Sequence, residues 1–283
     1  MALLAAVFTT MATFAQPGDR SILTMAELDA YPNFDVRLFK QDPRLAENEA
    51  LGDFISSVAP APDLAADLAF DRIAGVARLE AAYKGIAIER QAGVNVLEVV
   101  SAAPGTGFLT PPSGDRVTAL RGFVTAHADA YGLAASDIGE LQPVADYMNP
   151  AGNMGWAELE QTINGIPVFQ GVIRGGFTAK GELARTTGAL ATVSDASALS
   201  TDPSVSAGQA ISLAAASVGW DVAERSLTQK AIEQNGRKVT FARGSMADDA
   251  VAWQVYFQLA PGVVRLAWAS GLMLIVRQGT APR

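Results

Sequence analysis

The sequence of 283 residues contains no cysteine and a single histidine, His127. Without thiols there can be no disulfide and no thiolate metal site. One imidazole excludes every site that needs two, the H-E-x-x-H zinc helix included. His127 is left as the sole candidate base for Ser-His-Asp chemistry. Charge is scarce, at 18% of residues against roughly 25% in an average soluble chain. It is also unbalanced: 21 Lys and Arg face 29 Asp and Glu, a formal charge of −8. Phosphate binding needs the opposite surplus, so no nucleic-acid partner is expected. No run is long and apolar enough to cross about 30 Å of hydrocarbon as a helix, so no membrane span is expected. Apolar residues make up 49% of the chain, which excludes a disordered polar polypeptide. At roughly 150 residues per domain the length predicts about two domains.

The first fifteen residues, Met1 to Ala15, are uncharged and apolar. Their length suits the apolar region of a signal peptide, and Thr13-Phe14-Ala15 puts small residues at both positions of a cleavage site. The expected location is therefore secreted or periplasmic. Residues 16–62 carry scattered prolines and read as an arm or linker. Pro62-Asp63 opens a helix running to about Tyr83, with Leu64, Leu68, Ile73, Val76 and Leu79 as its apolar stripe. Ile86–Arg90 and Val94–Ser101 form a hairpin, closing a unit at 63–104. Residues 102–114 hold Pro104, Gly105, Gly107, Pro111, Pro112 and Gly114, and read as a domain boundary.

A module at 113–193 follows. Val117, Leu120, Val124, His127 and Tyr131 mark one face of a helix over 115–131, stopped by Gly132. In Gly155–Ile163, Ala157, Leu159 and Ile163 alternate with Glu158, Glu160 and Thr162, which is the period of a half-buried strand. Asn164-Gly165 predicts a type I′ hairpin turn, returning through Ile166–Phe177. Pro167 places the start of that strand at a sheet edge. A turn at Ala179–Glu182 leads to a third strand, Leu183–Val193. In a further module at 206–276, Ser206-Ala-Gly-Gln209 caps a helix over 207–218, and strands are expected at Lys238–Ala242, Val251–Leu259 and Val263–Val276. Residues 277–283 are a tail. The pattern predicts an α+β fold of helix-plus-antiparallel-sheet modules, cystatin-like or similar, two to three in tandem.

The residues that could carry chemistry read more simply as structure. His127 sits on an apolar helix face with no G-x-S-x-G serine to serve. Glu158 and Glu160 share a strand face at a spacing that glycosidase carboxylates would permit, but alternating polar residues on a solvated face look the same. Asp248-Asp249 lacks the alternating ligands of a calcium loop, and Pro104-Gly-Thr-Gly107 lacks the lysine of a phosphate loop. The four tryptophans are dispersed and fit core or interface use better than a carbohydrate platform.

An ordered series of phrases carries a family signal. Val117-Thr-Ala-Leu-Arg-Gly-Phe-Val-Thr-Ala-His-Ala-Asp-Ala-Tyr-Gly-Leu133 precedes Glu160-Gln161-Thr-Ile-Asn164-Gly165-Ile166-Pro167-Val168-Phe169-Gln170-Gly171. Ala179-Lys-Gly181-Glu-Leu, Ser206-Ala-Gly-Gln-Ala-Ile and Phe257-Gln-Leu-Ala-Pro-Gly-Val-Val-Arg265-Leu-Ala-Trp268 come after. Over about 63–268 this resembles the propeptide region of fungalysin- and thermolysin-type zinc metallopeptidases, and the fungalysin type most. The Asp-Ala-x-Thr-Gly turn that commonly closes such propeptides has no counterpart in Ala269–Arg283. The resemblance implies a non-catalytic region that acts as intramolecular chaperone and inhibitor, here cut short before the catalytic domain. The alternative is a free-standing exported peptidase inhibitor or binding module. The implied partner is a metallopeptidase catalytic domain, in cis or in trans. The implied zinc belongs to that partner, and no cofactor or metal is expected in this chain. The hairpin Asn164, Gly165, Ile166, Pro167, Val168 and Phe169 is the expected site, either as a partner contact or as the turn that organises the sheet.

Overall fold

A computed structural model describes residues 62–90, 96–134, 137–193, 195–217, 220–260 and 262–272, with side chains from Arg72 onward. The signal-peptide, arm and tail expectations lie outside the described residues. The described part is α+β, as expected, with helices α1 (Pro62–Ala82), α2 (Arg116–Ala126), α3 (Ala128–Tyr131) and α4 (Ala207–Ser217) and ten strands. Two compact units divide it, 62–201 with 255–266 and 202–254 with 267–272.

The larger unit is an antiparallel sheet with helices on one face. Its strands are β1 (Ala87–Arg90), β2 (Leu97–Ser101), β3 (Leu141–Met148), β4 (Met154–Ile163), β5 (Ile166–Thr178) and β6 (Leu183–Thr187). They lie in the order β1-β2-β6-β5-β4-β3. Alternation along β4 decides which face is buried. Ala157, Leu159 and Ile163 point inward, and Glu158, Glu160 and Thr162 outward, as the sequence pattern requires. Ala157 and Leu159 join Ile173, Phe177 and Leu183 under Leu120, Phe123 and Val124 of α2. Gly175 is what lets that helix approach, since a Cβ there would stand 3.1 Å from Leu120 Cδ1 and 2.7 Å from the Phe177 ring. Asp115 caps α2, accepting from Thr118 N at 2.9 Å, a contact that satisfies one of the free first-turn N–H groups. Gly132, at φ 72°, ends α3.

Several expectations are corrected. Residues 102–114 run within the larger unit instead of dividing it. β2 pairs with β6, and Leu109 N donates to Leu183 O at 2.7 Å. The α1 stripe is rotated: Val76 and Leu79 are buried, but Ile73 is exposed and Arg72 takes the inward position, donating from Nη2 to Thr192 Oγ1 at 2.9 Å. The helix expected over 115–131 breaks at His127, where φ −125° and ψ 29° leave the helical region. β3 was not foreseen, nor was β7 (Gln229–Glu233). The third strand of the meander stops at Thr187, because Gly188 turns the backbone to φ 114°. A Cβ at that glycine would lie 2.0 Å from Val172 O. The start of β5 is not an edge, since Val168 pairs in parallel with Tyr256.

The smaller unit has the same logic. β7 and β8 (Lys238–Phe241) pair antiparallel, and β8 pairs with β9 (Ala250–Ala260). Ala207, Ala210, Ile211, Ala214 and Ala215 of α4 share a core with Val239, Phe241 and Trp268. Ser206 Oγ caps α4, accepting from Gln209 N at 2.9 Å. Trp268, on β10 (Val263–Gly271), is buried, and its indole donates to Val205 O at 2.9 Å. Asp249 has a structural task here, accepting from Arg243 N at 3.0 Å and pairing with Lys230.

Candidate functional site

The expected hairpin forms as read. Asn164 and Gly165 take φ 52° and 69°, the left-handed pair that a type I′ turn requires, and Ile163 pairs with Ile166. Asn164 Nδ2 donates to Ala196 O at 2.9 Å, so the tip is tied to a neighbouring segment. Asn164 and Gly165 are exposed. Ile166 and Val168 are buried, in one cluster with Ile163, Ala191, Tyr256 and Val264. Phe169 stacks on Phe257 with centroids 5.8 Å apart. The six residues thus divide in role: Ile166 and Val168 hold the sheet together, and Asn164-Gly165 presents a fixed, solvated tip.

Just past the turn the ladder skips. Thr162 pairs with Pro167, and the next pair is Glu160 with Val172, so four residues of β5 oppose Gln161. The excursion packs on itself. Gln170 has φ 55°, and a Cβ on Gly171 would lie 2.7 Å from Val168 Cβ. Gln161 itself points inward and is buried. Its amide replaces a strand partner, donating from Nε2 to Ala191 O at 2.8 Å and accepting from Ala191 N at 2.7 Å. Sequence reading quoted Gln161 but gave it no role. The signal was present: Gln161 occupies an inward position of an alternating strand, and a buried amide must find partners.

His127 is half-buried between the rings of Phe123 and Tyr83, with centroids at 4.9 and 5.6 Å. The Tyr83 hydroxyl donates to Leu109 O at 2.9 Å and lies 3.4 Å from His127 Nε2. Burial holds the imidazole below its usual range of about 6.5, against the upward pull of Asp129. No serine lies in hydrogen-bond reach of it among the described contacts. The folded state therefore favours the neutral ring. The stability this gives is present above the unfolded pKa and is lost as pH falls from there through the folded value. Thermal melts between pH 7.5 and 5 should fall more steeply for the natural protein than for His127→Gln. Parallel curves would show that the ring does not titrate on unfolding.

Glu158 and Glu160 do share the outward face of β4. Glu158 Oε1 accepts from Arg174 Nε at 2.6 Å, and burial raises the Glu160 carboxyl above its usual range. Near them Tyr147 stacks on Trp156, with centroids 5.4 Å apart and planes at 18°. Tyr147 and Met154 leave this side of the sheet partly apolar and open to solvent. Among the described residues no group of three or more His, Cys, Asp or Glu is placed to hold a metal ion, and no helix is long and apolar enough to cross a membrane.

No family model and no curated protein matches the sequence. Among solved structures, this chain is distantly similar to one described as the Bacillus megaterium YpeB C-terminal domain. The likeness covers 74% of this chain and 97% of that one, at 11% identity and a TM-score of 0.26.

Proposed function

We propose that this chain is a non-catalytic propeptide-type region that assists the folding of a fungalysin-type zinc metallopeptidase and inhibits it. The proposed partner is the catalytic domain, in cis or in trans, and the zinc belongs to that domain. The observation that carries the reading is a rigid tip on a broad sheet. Asn164-Gly165 is solvated and fixed by Ala196 O, while Ile166 and Val168 anchor the same hairpin in a core. A surface held in this way loses little conformational freedom on binding, so more of its contact energy appears as affinity. By binding the native-like state of a slow-folding partner it shifts that partner's equilibrium toward the folded form. By occupying the cleft it blocks substrate. The ordered phrases from Val117 to Trp268 supply the family to which the partner is assigned. Folding help is tested by diluting a denatured fungalysin-type catalytic domain out of guanidinium with and without equimolar chain. The expected result is a several-fold higher yield of active peptidase when the chain is present. Equal yields and equal rates would contradict the chaperone role.

A further inference from the structure

The outward face of the larger unit's sheet carries a slot that the hairpin does not explain. Tyr147, Trp156, Gly176 and Arg185 form one cross-strand row over β3, β4, β5 and β6, each paired directly with the next. In the row beside it, Glu158 pairs with Arg174 and Arg174 with Thr187. At the centre of the first row there is no side chain. A Cβ on Gly176 would meet nothing nearer than Arg185 O at 3.8 Å, so the gap is open and not filled by a neighbour. Tyr147, its partner on β3, stacks on the Trp156 indole, and Trp156 in turn lines the space above β5. The result is a depression of about 300 Å³ bounded by Trp156, Arg174, Arg185, Met154 and Thr178 above Gly176.

The chemistry of the lining restricts the occupant. Two guanidinium groups and no carboxylate line the slot, in a chain of net charge −8. Glu158 engages Arg174 through Nε. No side chain pairs with Arg185 among the described residues. A flat ring lying over Gly176 would stand between the Trp156 indole and Arg185, where both the ring and a neighbouring carboxylate gain from the cation. The slot is shallow and open, so a free small molecule in it would stay largely in water, whereas a side chain of a larger partner would be covered by the rest of that partner. Tryptophan and arginine are also the residues that most often dominate such contacts.

We propose that this slot binds an extended polypeptide segment through an aromatic side chain flanked by Asp or Glu. The site is distinct from the Asn164-Gly165 tip and does not depend on the peptidase reading. The probe is the peptide acetyl-Ser-Asp-Phe-Asp-Ser-amide, titrated into ¹⁵N-labelled full chain while the Trp156 indole N–H signal is followed. That signal, assigned by its loss in Trp156→Phe, should move with a Kd of about 1 mM or tighter, a weak-contact affinity. Raising NaCl from 50 to 500 mM should weaken the binding. The Asn-Phe-Asn and Asp-Ala-Asp versions should bind at least tenfold more weakly. Gly176→Val puts a branched side chain at the centre of the slot, where its Cβ makes only an ordinary contact, and suits a strand, so it should melt like the natural protein yet lose at least tenfold in affinity. Arg185→Gln should do the same with the slot left open. Asn164→Ala, which alters the tip alone, should bind the peptide as the natural protein does. An unmoved Trp156 signal, unchanged affinity in Gly176→Val and Arg185→Gln, or equal binding of the Asn-Phe-Asn peptide would overturn the proposal.

Discussion

Gln161→Leu should cost about 2–4 kcal/mol of stability, although it replaces a buried polar residue by an apolar one of similar size. The reason lies in what the amide leaves behind. Gln161 exchanges two hydrogen bonds with the backbone of Ala191, at 2.8 and 2.7 Å, and both residues are buried. Leucine removes both at once. The Ala191 N–H and C=O then remain out of water without those partners, and each such group costs about 1–3 kcal/mol. The gain from burying the leucine side chain, about 1.5–3 kcal/mol if complete, offsets only part of this. For a unit of this size each kcal/mol lowers the midpoint by roughly 2–4 °C, so a fall of about 4–16 °C is expected by circular dichroism. Gln161→Glu should be no better. It keeps an acceptor for Ala191 N but sets a carboxylate oxygen against Ala191 O, a pairing that favours neither the charge nor the carbonyl. A Gln161→Leu melt within a degree of the natural protein would mean that the Ala191 segment is held by its apolar contacts alone.

The same residue shows where a sequence can and cannot be read. The Leu183–Val193 stretch has the composition of a strand, and Leu190 and Ala191 are buried as strand residues would be. The chain nevertheless leaves the ladder at Gly188, and the Gln161 amide, 30 residues away, takes up the backbone groups that a strand partner would have satisfied. Nothing local to 188–193 announces a partner at that distance. β3 and β7 escaped for a different reason. Their residues are mostly exposed, β3 pairs only with β4, and β7 ends its row. Edge strands of this kind are held by backbone bonds on one side and need no alternating apolar pattern, and Pro143 is tolerated within β3 for the same reason. What was legible was whatever local sterics or one-sided burial dictate. Asn164-Gly165 specifies its turn by its φ angles, the alternation of β4 specifies its faces, and Ser206 announces the start of α4. Of the site, the turn and its buried flanks were readable. The Trp156–Gly176–Arg185 row was not, because its members are brought together only by strand register.

A chain that works, as proposed, by occupying a partner without making or breaking bonds should above all inhibit that partner in trans. A catalytic domain whose cleft is filled cannot bind substrate, so its rate should fall in proportion to the fraction complexed. A Kd of 1 μM corresponds to about −8 kcal/mol, which an interface of standard size built around a fixed tip can supply. The tip makes this specific. Gly165→Val forces a β-branched residue to φ 69°, which distorts the turn and should weaken inhibition at least tenfold. Ile232→Ser, at an exposed position on β7 of the smaller unit, should leave it unchanged. The direct measurement is the hydrolysis of a fluorogenic peptide by a secreted fungalysin-type peptidase, followed over rising concentrations of the full chain. Half-inhibition at or below about 10 μM, weakened by Gly165→Val, is the predicted result. An unaltered rate at saturating chain, or hydrolysis by the chain when no peptidase is added, would contradict it.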